Sequence, residues 1–93
     1  MTLVSGDFRS YDDDRMVVRF TLMDDATEVL CAVSTDAMDR IEGKKRSGAA
    51  AREEQFFLLR ATIEARAAQK VAAVEFEGSP PGVILRTIDF PPA

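Results

Sequence analysis

Residues Ala49 to Val74 read AAAREEQFFLLRATIEARAAQKVAAV, the longest periodic segment in a chain of 93 residues. Placed at steps of about 100°, Phe56, Leu59, Ile63, Ala67, Val71 and Val74 fall on one stripe. Spacing by three and four predicts a helix and not a strand. Nearly opposite lies a stripe of small residues, Ala61, Ala65, Ala68 and Ala72, with Leu58 also well away from the large stripe. Phe56 to Leu59 are four consecutive apolar residues, more than one core face needs. The large stripe is expected to cover a sheet. The alanine face with Leu58 is the candidate surface for another helix, from a second copy of the chain or a partner protein. Alanines are also good helix formers on a solvated face.

Outward from this helix the chain shortens into strands and turns. Met16, Val18, Phe20 and Leu22 alternate with Val17, Arg19 and Thr21, the period of a half-buried strand. Asp24 and Asp25 mark a turn. Glu28 to Val33 returns with Val29, Cys31 and Val33 on one face. Ser34 is an N-cap for a short helix, about Thr35 to Glu42, which Gly43 stops. Ser47 is the expected cap of the long helix. Gly78 to Gly82, with two prolines, is a firm break. Val83 to Ile88 reads as a terminal strand rich in branched residues. Glu75 to Glu77 is either a last helical turn or a short extended piece. Residues 1–14 mix Leu3, Val4, Phe8 and Tyr11 with turn formers and read as a loosely ordered arm on a single domain spanning 1–93. The expected fold is α+β: a small antiparallel sheet of about three strands, the hairpin and the terminal strand, packed against one short and one long helix.

Composition narrows the functions. The formal net charge is −4, whereas binding a polyanion calls for a clustered positive face. Lys44, Lys45 and Arg46, with Arg52 nearby, form the one basic cluster, a candidate anion or nucleic-acid contact at the start of the long helix. No phosphate-loop pattern accompanies it. Cys31 is the single cysteine, so no internal disulfide forms. Its apolar strand setting makes it a structural thiol. Asp12, Asp13 and Asp14 are adjacent, not alternate, and lack the glycine of a calcium loop, so no metal site is expected there. The N-terminal MTLVSGDFRS has neither a basic region nor a long apolar run, and no window approaches a membrane span. A reduced cytoplasm is the expected setting. Histidine is absent, and the only acid near the large stripe, Glu64, has Arg60 four residues before it as a partner. No catalytic residue and no cofactor is expected.

The order of segments is itself informative. Tyr11-Asp12-Asp13 leads into VVRF, then EVLCAVS and a DAMDRI helix. The long helix carries Phe56, Arg60, Ile63 and Glu64 as F-x-x-x-R-x-x-I-E, followed by Ala67 and Lys70 as A-x-x-K. The terminal VILRTIDF has Thr87 and Asp89 near its end. From about Tyr11 to Phe90 this series resembles a small bacterial family of proteins of unknown function, DUF1488. The resemblance implies a compact α+β fold and no assigned activity, so no site residue is carried over. The expected role is a non-enzymatic interaction module, a homodimer or partner-bound unit working through Leu58, Ala61, Ala65, Ala68 and Ala72.

Overall fold

A computed structural model describes residues 3–91. Four strands, β1 (Leu3–Asp12), β2 (Val17–Asp24), β3 (Thr27–Ser34) and β4 (Val83–Leu85), form one sheet in the order β1-β2-β3-β4. Two helices, α1 (Thr35–Glu42) and α2 (Ala49–Ala72), come between β3 and β4, and a 3-10 turn spans Thr87–Asp89. The first three strands are antiparallel; β4 runs parallel to β3. Parallel neighbours need a long crossover, and the helix pair is that crossover. The core is one cluster. Val18, Phe20 and Leu22 of β2 and Cys31 and Val33 of β3 meet Phe56, Ile63, Ala67 and Val71 of α2.

The α+β architecture is as expected, with one strand more. Residues 3–12 of the supposed arm are β1, paired along its length with β2. Register shifts between Ser5 and Phe8 and between Phe8 and Ser10 place ten residues of β1 against eight of β2. Each extra residue resets the alternation of faces, so the segment has no clean period of two. At the first shift Gly6 lies so close to β2 that a Cβ would sit 2.3 Å from Thr21 Oγ1. Residues 1 and 2 of the arm fall outside the described residues.

Helix ends follow local chemistry. Ser34 caps α1 as expected, its Oγ accepting from Ala37 N–H at 3.1 Å, and Gly43 ends it at φ 82°. Ser47 does not cap α2; the cap position is Gly48, at φ 92°, without a side-chain bond. Val74 does not extend the core stripe. It sits at φ 57° and is 72% exposed. Its N–H reaches Val71 C=O at 3.0 Å while Glu75 N–H reaches Lys70 C=O at 2.9 Å. These are the two bonds of a Schellman stop, with valine where glycine is preferred. The turn falls at Ala73 and Val74, so Glu75 to Glu77 is not helical, and Glu77 bridges to Gly82. The terminal strand is shorter than expected, ending at Leu85.

Candidate functional site

The outer side of α2 carries exposed apolar area. Leu58 is 63% exposed and Phe57 47%. Phe57 is partly accounted for: its ring lies 5.9 Å from that of Phe8 and 5.5 Å from that of Phe56, with the Arg60 guanidinium 5.4 Å from its centroid. Leu58 is not part of the core cluster or of the hydrophobics packed against it. One and two turns further, Ala61 and Ala65 line a groove of about 700 Å³. Ile41 of α1 and Phe90 and Pro91 of the terminal segment complete its apolar lining, and Arg40, Arg66 and Asp89 supply its polar one. The groove exists because α2 presents side chains of one carbon where α1 and the terminal segment flank it. Of the five residues expected at an interface, Leu58, Ala61, Ala65 and Ala72 are exposed. Ala68 is half-buried, and neither it nor Ala72 lines the groove.

The groove's polar edge is fixed by ion pairs. Arg66 Nε donates to Asp89 C=O at 3.1 Å and its Nη2 to Asp89 Oδ1 at 3.2 Å. Buried Lys70 approaches the same Oδ1 at 3.1 Å and donates to Ile84 C=O at 3.1 Å. Arg86 N–H donates to Asp89 Oδ2 at 2.7 Å. Burial acts to raise the Asp89 pKa, but the Arg86 amide, Lys70 and Arg66 outweigh it and hold the carboxyl below its ordinary value. This cluster ties the terminal segment and β4 to α2.

A second cluster ties α1 to the start of α2. Buried Arg52 donates from Nη1 to Asp39 Oδ1 at 2.6 Å and to Gln55 Oε1 at 2.8 Å. Gln55 Nε2 donates to Asp39 Oδ1 at 3.1 Å and to Glu42 Oε1 at 2.9 Å. Arg46 grips Glu42 with two bonds, of 2.8 and 2.6 Å. The Arg46 guanidinium draws the Glu42 carboxyl down to about 2, with burial opposing, and Glu42 in turn raises the Arg46 pKa. Asp39 is also lowered: burial opposes, and bonds from Arg52 and Gln55 prevail.

The basic cluster is thereby corrected. Arg46 and Arg52 are turned onto carboxylates, while Lys44 and Lys45 remain exposed in the loop. The four cations do not converge on one anion site. Sequence reasoning also missed Arg52, Gln55 and Lys70 as buried polar groups. The signal was present: Arg52 stands four residues before Phe56 and Lys70 three after Ala67, so both share the large stripe.

Burial pushes the Cys31 thiol up to about 12. Asp12 caps its own turn, accepting from Arg15 N–H at 3.1 Å, and pairs with Arg19 at 2.8 Å. Arg60 holds Glu64 at 2.9 Å, as its spacing predicts, and also donates to Gly6 C=O on β1 at 2.7 Å. Among the described residues no group of His, Cys, Asp and Glu is placed to hold a metal ion, and no helix is long and apolar enough to cross a membrane.

Fold and surface together define a small α+β domain with two helices on one face of a four-stranded sheet and an uncovered apolar helix face. The chain belongs to the family described as protein of unknown function (DUF1488), whose profile matches residues 5–81. Its structure is similar to a 1.60 Å crystal structure of a protein of unknown function from that family in Shewanella loihica PV-4. The TM-score is 0.73 at 16% identity, over 88% of this chain and 93% of that one, a likeness that shows the fold. Comparison with curated proteins gives no match.

Proposed function

We propose that this protein works by association and not by catalysis, as a cytoplasmic interaction module that pairs with a second copy of itself through the outer face of α2. The observation that carries this reading is that exposed Leu58 stands one and two turns before Ala61 and Ala65, which line the groove, on the same helix face. A large apolar side chain in water beside a channel floored by methyl groups is self-complementary. Across a two-fold axis the Leu58 of each copy has the other's groove to enter, and a closed interface of this kind uses the same patch twice. The rim suits the same role. Arg40 and Arg66 flank an apolar floor, the arrangement of polar rim around apolar centre seen at protein interfaces. The absence of histidine leaves the chain without the side chain most used for acid–base work near neutral pH.

Light scattering coupled to size exclusion tests the reading. A mass that rises from one chain toward two over the micromolar range supports it. A mass of one chain at the highest soluble concentration removes self-association as the function.

A further inference from the structure

The sheet face turned away from the helices carries a second depression, of about 290 Å³. Its position follows from register. Ser10 of β1 pairs with Arg19 of β2, Arg19 with Ala32 of β3, and Ala32 with Ile84 of β4. Residues paired across neighbouring strands share a face. These four therefore form one row, on the side opposite the row of Phe20, Cys31 and Val83 that joins the core. Ala32 is the short member between two long ones, and the surface dips over its methyl. Leu30, two residues back along β3, walls the dip on the same face. The turn at Gly78 to Pro80 stands on the side of Ile84, and Arg9 and Arg15 reach the side of Arg19.

The depression thus has an aliphatic wall and a guanidinium wall. Three arginines gather round it in a chain whose formal net charge is −4. Arg9 pairs with Glu28, both side chains open to solvent, and Arg19, itself partly exposed, pairs with the half-buried Asp12. An exposed pair such as Arg9 with Glu28 contributes little. The Arg15 guanidinium has no hydrogen bond to the described residues, because only its backbone N–H is engaged, with Asp12. Glu77, the one acid in the lining, is held by two bonds from Arg86, of 2.8 and 3.0 Å. The volume is at the lower end of small-molecule sites, about 300 Å³.

We infer that this depression binds a small organic carboxylate with an aliphatic body. The chain lies over Ala32 against Leu30 and Ile84. The carboxylate faces Arg15 and Arg19, whose planar forks match its two oxygens. The site lies across the sheet from the α2 groove and stands independently of self-association.

Octanoate is the probe. Titrated into ¹⁵N-labelled full-length protein, it is expected to move the amide resonances of Leu30, Ala32 and Ile84 to saturation, whereas acetate and 1-octanol leave them in place. Arg19→Gln should weaken binding about tenfold, the loss of one charge-assisted contact. Ala32→Leu fills the dip and should abolish binding. If Ala32→Leu fails to fold, the exposed pair Arg15→Gln with Arg19→Gln carries the test. No saturable shift with octanoate overturns the inference. So does an equal response to 1-octanol, a response mapping to α2 instead, a saturable response confined to an acidic peptide, or unchanged affinity in the variants that fold.

Discussion

The two sides of α2 each carry exceptions to the usual distribution. Facing the protein, Arg52, Gln55 and Lys70 are buried with Phe56 and Ile63; facing water, Leu58 stands exposed. The inner charges do positional work. Arg52 and Gln55 bind α1 through Asp39 and Glu42, and Lys70 binds β4 and the terminal segment through Ile84 and Asp89. Such pairs cost desolvation to bury, and their benefit is register between elements. Among the described residues Leu58 belongs neither to the core nor to the side chains packed against it. One helix thus joins its neighbours through buried polar groups as well as its apolar core stripe, and offers Leu58 outward.

The largest break in this contrast comes from inside. Asp89→Ala strands Lys70 as an unpaired buried charge, and urea denaturation should show a loss of about 3 kcal/mol. Replacing both partners, Lys70→Met with Asp89→Leu, should return most of that loss, because no charge is left buried alone. The outer face should respond in the opposite sense. Leu58→Ser should leave unfolding within about 0.5 kcal/mol of the parent. It should weaken self-association by at least about tenfold, the burial of one leucine being about 1.5 kcal/mol or more. At the helix end, Val74→Gly should stabilise the chain by about 1 kcal/mol, since valine in a left-handed conformation is strained there and its side chain is exposed.

Acid should act on the carboxylates that the inner side of α2 holds. Glu42, drawn from 4.5 to about 2, and the lowered Asp39 both have folded pKa values below their unfolded ones. Their contribution is present above the unfolded values and disappears as pH falls toward the folded ones. The urea midpoint should therefore drop as pH is taken from about 4.5 to about 2. Arg46→Met should flatten that drop, because Arg46 is the main cause of the Glu42 shift.

Legibility in the sequence tracks how local each determinant is. The stripe from Phe56 to Val71 was readable because helical period needs only neighbours three and four apart, and Ser34 and Gly43 bracket α1 by short-range geometry. β1 was not readable. Its two register shifts erase the alternation that marks a strand, and only pairing with β2 shows which residues face inward. Val74 continued the stripe on paper, but the bonds of Val74 and Glu75 back onto the last turn end the helix at Ala72. The basic run misled because adjacency in sequence is not convergence in space: Arg46 folds back to Glu42, and Arg52, on the inner side of α2, points at Asp39. The interface residues were legible as a face. That Ala61 and Ala65 border a groove depended on where α1 and Phe90 come to rest.

Sedimentation equilibrium of the parent and Ala65→Glu, each paired with thermal unfolding, tests the central claim most directly. The account predicts a monomer–dimer equilibrium in the parent, a monomer in Ala65→Glu at the same concentration, and superimposable unfolding of the dissociated chains. A dimer that survives Ala65→Glu, or a parent that is monomeric throughout, contradicts it.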